Sequence, residues 1–274
     1  MDGNLNQKKR HFLVIAAAAR GARFFIKKAL KQGYNITGLC RADSDTEALK
    51  RLKKLLKETA LTPDGRHSND TVGKLQAKSS NILDAQTYKT ILEENPTIDA
   101  IVCFVGAPTT IKGQYSRKLQ LYTKTYGAMT EGMKISRWVE TFVHGSSGSE
   151  GIPGQHKFLK LPANFKLKWL LEKFGKTPAA QNYFESEHIL ADAKEDGLKF
   201  ILFRPAFLTS GIAKRNFGFC FDSTELNNKE LPLEKTKMSI SREDVAEEIL
   251  RVATLPKIER KKYYGHGIYI VDMK

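Results

Sequence analysis

The chain has 274 residues, 41% of them hydrophobic, with 45 lysines and arginines against 30 acidic residues and a formal net charge of +15. That length suits one α/β domain with an appended lobe, or two domains at most. Three cysteines (Cys40, Cys103, Cys220) are too few and too scattered for a disulfide framework, and no apolar run reaches the roughly 18 residues that a membrane span needs.

A positive balance of this size is compatible with nucleic acid, an anionic membrane surface or an acidic ligand. The lysines, however, run along the whole chain and no aromatic-plus-basic recognition motif stands out. The sequence therefore favours a lysine-rich surface over a nucleic-acid site. No cluster of His and Cys has metal-ligand spacing. Cys40 and Cys103 lie in strand-like runs and read as buried thiols of a reducing, cytoplasmic compartment. Lys8-Lys9-Arg10, the run Phe12 to Ala19 and the Ala-x-Ala that ends it imitate a secretory signal. Cleavage there would delete the first strand and strip the next helix of its partner, so the segment is read as structure.

In chain order, Phe12-Leu-Val-Ile15 is a short apolar strand, followed by Ala16-Ala17-Ala18-Ala19-Arg20-Gly21-Ala22. Ala22, Phe25, Ile26, Ala29 and Leu30 then fall on one helical face, and Gly33 stands where a left-handed cap ends the helix. Asn35 to Cys40 is a second strand, closed by Arg41. Strand, small-residue turn, helix and strand within about 30 residues make a βαβ unit of the dinucleotide-binding type. In such a unit the pyrophosphate lies at the helix N-terminus, held by unpaired N–H groups and the helix dipole. Backbone at Ala18, Ala19 and Gly21 would approach it, and Arg20 would clamp the same phosphates. Arg41 occupies the place where an acidic residue would hold a ribose 2′-hydroxyl. A guanidinium there suits a 2′-phosphate, hence NADP(H) over NAD. The bland alternative is two solvated arginines at strand ends.

Thr46 to Lys57 has helical leucine spacing with a lysine-rich outer face, and Thr62 to Asp70 reads as a polar loop. A weak third strand at Leu75-Gln76-Ala77 precedes Asn81 to Asp84, where Asp84 would N-cap a helix over 85–94. Ile98 to Val105 is a continuous apolar run, as in a central parallel strand buried on both faces. Its end at Gly106 and Ala107 would border the ligand crevice beyond the carboxyl ends of the strands. A helix from about Arg117 to Ile135, a fifth strand near Trp138 to Val143, a helix from Gln181 to Ala193 and a strand Phe200 to Phe203 follow. Ser241 and Asp244 form a capping-box pattern, and Ile268 to Val271 is a last strand. The stretch 151–178 has no place in a minimal domain. It reads as a basic, amphipathic insertion over the site, or equally as a surface excursion.

These landmarks resemble the atypical short-chain dehydrogenase/reductase group, in particular its NAD(P)H-binding, NmrA-like and biliverdin/flavin-reductase-like branch. That branch carries Gly-Ala-Thr-Gly-x-x-Gly at the first turn; matched without gaps, its glycines become Ala16, Ala19 and Ala22. The resemblance implies a Rossmann-like doubly wound parallel sheet with a small C-terminal substrate lobe, as a single domain over 1–274. It further implies Asp84 beside the adenine, Ser146 and Ser147 at the nicotinamide end of the fifth strand, and Arg204-Pro205-Ala206-Phe207-Leu208-Thr209-Ser210-Gly211 against the nicotinamide. Typical members place a lysine four residues after a catalytic tyrosine; here Glu187 follows Tyr183, and a carboxylate would raise the tyrosine's pKa. Ser147 and Tyr183 are then substrate-orienting groups, with Tyr183 equally readable as a packed aromatic. Two readings follow: an NADPH-dependent reductase of a small carbonyl or conjugated substrate, with an anionic one suited to the basic insertion, or a non-catalytic dinucleotide sensor or scaffold of the NmrA type. Homo-oligomerisation is compatible with either.

Overall fold

The computed structural model describes residues 9–61, 73–106, 120–135, 139–144, 178–205, 207–221, 236–237 and 239–274. The strands are β1 (His11–Ile15), β2 (Asn35–Cys40), β3 (Leu75–Ser79), β4 (Ala100–Cys103), β5 (Glu140–His144), β6 (Lys199–Pro205), β7 (Phe207–Thr209), β8 (Phe217–Phe221), β9 (Thr236–Lys237), β10 (Ser239–Ser241) and β11 (His266–Met273). The helices are α1 (Arg20–Lys31), α2 (Asp45–Lys57), α3 (Ala85–Glu94), α4 (Leu121–Gly132), α5 (Pro178–Glu195), α6 (Arg242–Thr254) and the short α7 (Lys257–Arg260).

The first four of these elements follow directly from side-chain periodicity. Phe12 and Val14 face one side of the sheet and Leu13 and Ile15 the other, all fully buried. The stripe Ala22, Phe25, Ile26 and Ala29 seats α1 on the first face, where Phe25 meets Phe12 edge-on with ring centroids 5.3 Å apart. Gly33, at φ 80°, ends the helix in the left-handed cap that its position predicts. Gly38 lets the turn and α2 close onto β2: a Cβ there would lie 2.9 Å from both the Ala17 Cβ and Leu52.

The main sheet runs β3-β2-β1-β4-β5-β6-β11-β8, with β9 also paired to β11. Strands β1 to β6 and β11 are mutually parallel, while β8 and β9 run antiparallel to β11. Helices α1, α2 and α6 pack on one face and α3, α4 and α5 on the other. This is the doubly wound α/β architecture, and the order reverses between β1 and β4.

Several boundaries differ from expectation. The helix foreseen over 117–135 is described from Leu121 to Gly132, continued by a 3₁₀ turn over Met133–Ile135. The third strand extends to Ser79, because its register against β2 carries on to Cys40. Much of the C-terminal chain joins the main body: β8, β9 and β11 extend the sheet and α6 packs against α1. Among the described residues, the parallel pair β7–β10 forms a separate two-stranded sheet, with Ile240 buried in the main core. Nearly all of the expected insertion, residues 151–177, lies outside the described residues.

At the amino edge of the sheet, a charge cluster staples β5, α6 and α7 to the residues that lead into β1 and β4. Arg10 donates to Asp99 (3.0 Å) and Glu140 (2.8 Å), and its Nη1 reaches the Ala253 carbonyl at the end of α6. Arg260 and the Tyr264 hydroxyl also donate to Glu140. Burial pushes the Glu140 carboxyl up, but the hydrogen bonds from Tyr264 and Arg10 and the charges of Arg10 and Arg260 outweigh it and hold the group below the ordinary carboxylate value. Beside it His11 lies between Thr97 (2.8 Å) and Thr37 (2.9 Å); burial lowers its pKa and Asp99 opposes the shift.

A candidate dinucleotide site at the carboxyl edge

Parallel strands and their crossovers place the starts of α1, α2, α3 and α6 along the carboxyl edge of the sheet, around the reversal between β1 and β4. Three of these helices are closed by their own side chains. Ser44 accepts from the Glu47 N–H, Asp84 from the Gln86 N–H and Ser241 from the Asp244 N–H. Helix α4, with N-cap Gln120, has no such cap, and neither has helix α1. Its N-cap is Ala19, which makes no side-chain cap, and its first turn holds no acidic residue. Instead it opens on Arg20, a cation at the positive end of the helix dipole, an arrangement that costs about 0.3–1 kcal/mol until an anion offsets it.

The turn before α1 has alanine at the three positions aligned with glycines, and one of them takes a backbone conformation that favours glycine. Ala16 sits at φ 56°, in the left-handed region that a residue with a Cβ rarely occupies. Two hydrogen bonds hold it there: Ala17 N–H to the Leu39 carbonyl (3.0 Å) and Ala19 N–H to the Ala16 carbonyl (2.8 Å). Ala19 is in the extended region at φ −64°, ψ 150°, comfortable for any residue. Ala22 is fully buried between helix and sheet. Of the three alanines aligned with glycines, only Ala16 is strained by its backbone.

Arginines surround this turn. Arg20 is exposed at the first position of α1, and Arg23 reaches back to donate to the Ala18 carbonyl (3.0 Å). Arg41 is exposed just past β2, where Arg51 of α2 donates to its carbonyl (2.9 Å). Arg242, first residue of α6, donates to the Ser210 hydroxyl at 3.0 Å. Burial lowers the pKa of Arg23; Glu58 opposes that, and the charges of Arg20 and Arg51 add to it. Burial likewise lowers Arg242, reinforced by Arg20. The mutual influence of Arg20, Arg23, Arg51 and Arg242 marks one electropositive region. Arg23, Arg51 and Arg242 went unforeseen: Arg51 lay within what read as a solvated helix face, and Arg242 joins only because α6 packs beside α1.

The other expected site residues divide. Ala18, Ala19, Arg20 and Gly21 lie together at the start of α1, and a Cβ on Gly21 would stand 3.2 Å from the Phe104 ring at the end of β4. Asp84 is exposed and caps α3, its Oδ1 3.0 Å from the Gln86 nitrogen. Gly106 is exposed past β4, with open space where a Cβ would be. Pro205 is buried at the end of β6, in register with Ile270. Ala107, Ser146 and Ser147 lie outside the described residues; Tyr183 belongs to α5, but its side chain is also outside them.

Both oxygens of Glu187 accept from Arg204, at 2.7 and 3.2 Å, and both residues are 1% exposed; the expected influence of Glu187 on the Tyr183 side chain lies outside the described residues. Arg204 also donates to the Tyr269 hydroxyl (3.2 Å) and lies 5.2 Å from that ring's centroid. The pair therefore locks α5, β6 and β11 together, a two-pronged geometry that neutralises both charges away from water. Neither described cysteine is a candidate nucleophile. Burial pushes the Cys103 thiol up to about 12, and it raises Cys40 against the opposing charge of Arg51. Among the described residues, no group of His, Cys, Asp and Glu could hold a metal ion, and no helix is long and apolar enough to cross a membrane.

No protein-family model matches the chain, and no curated protein is similar to it in sequence. Solved structures do match it in shape. A Streptococcus pneumoniae TIGR4 protein provisionally assigned as an NADH-flavin reductase superposes with a TM-score of 0.58 at 14% identity, over 96% of this chain and 99% of that one. The oxidoreductase ylbE of Lactococcus lactis gives 0.59 at 14% identity, over 96% and 90%. A Bacillus halodurans protein, provisionally an NAD-dependent epimerase/dehydratase, gives 0.57 at 13% identity, over 96% and 94%. At such identities the likeness is one of fold: this chain has the Rossmann-like α/β fold that these proteins share.

Proposed function

We propose that the chain is an NADP(H)-binding, reductase-like protein of the atypical short-chain dehydrogenase type, acting on a small carbonyl or conjugated substrate. One observation carries the reading. At the sheet's order reversal, the start of α1 has no side-chain cap and is flanked by arginines. Backbone N–H groups at Ala18 to Gly21 and the α1 dipole suit a pyrophosphate. Arg20, with Arg242 opposite, adds charge to that position. Arg41 and Arg51, joined at the end of β2, suit a 2′-phosphate on the adenosine ribose. Asp84, already engaged as a cap, keeps acceptor capacity for the adenine side. When bound, the nicotinamide supplies the hydride. The chain's own part is to bind, orient and exclude water, with Ser147 and Tyr183 assigned to hold the substrate. A homo-oligomer, an anionic substrate and a cytoplasmic location are further parts of the proposal.

The alternative, a non-catalytic dinucleotide sensor or scaffold, is favoured by the residue at 187 itself: an acid, paired with Arg204, stands where a tyrosine acid would have its basic partner. Titration of the purified protein with NADPH and NADH, followed by nicotinamide fluorescence, tests the cofactor assignment. NADPH should bind more tightly, and Arg41→Ala and Arg51→Ala should each narrow the preference by roughly tenfold, the value of one charge-assisted contact. Absence of binding at millimolar cofactor would refute the assignment. Binding without turnover of quinone, flavin or aldehyde substrates would select the sensor.

A further inference from the structure

Four of the five basic residues of helix α2 lie on one side. Lys50, Lys53, Lys54 and Lys57 follow at i, i+3, i+4 and i+7, so their stems share a face. With Lys27 of α1 they line an open groove of about 820 Å³ between the two helices. The floor is apolar: Leu49 is half-buried and Leu56 is 8% exposed. Lys27 is tethered across one end by a 2.6 Å bond to the Thr59 carbonyl.

The acidic residues nearby do not neutralise these lysines. Asp45 accepts from the Ser79 N–H at 2.7 Å and pairs with Lys78. Glu47 accepts from the Asp43 N–H at 3.1 Å, and Glu58 acts on Arg23. Among the described residues, the side chains of Lys50, Lys53, Lys54 and Lys57 make no ion pair or hydrogen bond. Four like charges stand within two turns of one helix, over apolar surface, with no counter-charge.

We propose that this groove docks an acidic, amphipathic segment of a partner protein, lying between α1 and α2 with apolar anchors on Leu49 and Leu56. Charge complementarity selects the sign, and the concave apolar floor selects the class. A planar anionic membrane would meet the lysine rim but not the floor. A nucleic-acid strand would find phosphate contacts but, among the groove's lining residues, no aromatic ring on which to stack a base. An acidic helix face with leucine-type anchors uses both features. The surface is formed by residues other than those assigned to the dinucleotide, so it stands or falls independently of that assignment.

The test uses the full chain and a fluorescein-labelled synthetic peptide with glutamates on one helical face and leucines on the adjoining one, read by anisotropy. Three parallel probes are the same peptide with serine for leucine, phosphatidylserine-containing vesicles and a short single-stranded DNA. The leucine peptide should bind saturably and weaken as salt rises from about 50 to about 300 mM. The triple variant Lys53→Glu, Lys54→Glu, Lys57→Glu should weaken it at least about tenfold. The control triple Lys257→Glu, Lys261→Glu, Lys262→Glu makes the same change in net charge on another surface and should leave it unchanged. NADPH titration of both triples should match the parent. The proposal is overturned by equal losses in the two triples, by equal binding of the serine peptide, by tighter binding of vesicles or DNA that the groove triple abolishes, or by no saturable peptide binding below about 1 mM.

Discussion

The strained alanine at the head of the turn yields the sharpest prediction. Ala16 holds φ 56°, fixed from both sides by the bonds of Ala17 N–H and of its own carbonyl. A Cβ in the left-handed region costs about 1–2 kcal/mol, which glycine does not pay. Against that, glycine raises the entropy of the unfolded chain by about 0.4–1 kcal/mol. The half-buried methyl also loses part of the roughly 0.8 kcal/mol that a buried carbon contributes. Ala16→Gly should therefore come out close to neutral or stabilising by about 0.5–1 kcal/mol. Ala18→Gly is the matched control: also half-buried, in the same turn, but without a positive φ. It bears both penalties and gains no relief, so the two variants should differ by the strain itself, about 1–2 kcal/mol. Urea unfolding of both, with slopes checked for equality, measures that difference directly. Equal shifts, or Ala16→Gly the less stable of the two, would show that the turn is not strained as described. On the functional side, Ala16→Gly should bind NADPH at least as tightly as the parent.

Four further outcomes are expected. Glu140→Gln leaves Arg10 and Arg260 without their shared carboxylate and should cost about 3–5 kcal/mol in urea unfolding, the usual penalty for breaking a buried pair. In the parent, Glu140 has a folded pKa below its ordinary value of 4.5. The unfolded chain thus binds this proton more readily, and the stabilisation is complete above the unfolded pKa and lost as pH falls through the folded one. His11 adds loss at a higher pH: its folded pKa lies below 6.5, so the unfolded state takes up a proton first and stability declines as pH drops through that value. Urea midpoints between about pH 7 and about pH 3 should therefore fall in two stages in the parent, and His11→Gln should remove the upper one. Arg204→Met removes the guanidinium from which both Glu187 oxygens accept and should destabilise by about 3–5 kcal/mol, whereas the double change with Glu187→Leu should recover much of it. A recovery of nothing would mean the pair does more than neutralise itself. Gly38→Ala would drive a methyl to 2.9 Å from Ala17 and Leu52; it should cost about 1–3 kcal/mol and weaken NADPH binding through the displaced turn.

What the sequence alone determined was whatever depends on local period and local backbone chemistry. The alternation of Phe12, Leu13, Val14 and Ile15, the stripe from Ala22 to Ala29, the cap at Gly33 and the Ser241 cap on the Asp244 N–H are properties of neighbours in the chain, and each is found in place, while the Asp244 carboxylate accepts instead from the Lys214 and Arg215 N–H groups. They sufficed for a doubly wound α/β fold. The tertiary structure alone decided where charge collects and which charges cancel. Glu187 and Arg204 are 17 residues apart, and Arg10 and Arg260 meet only at Glu140; no spacing rule reveals such pairs, because they form across helices and strands brought together by the core. The same holds for Arg242, which joins Arg20 because α6 begins beside α1, and for the lysines of α2, which become a groove only when α1 supplies the other wall. Periodicity follows from the bonds along one chain segment; an electrostatic site is a sum over distances that only the folded packing sets.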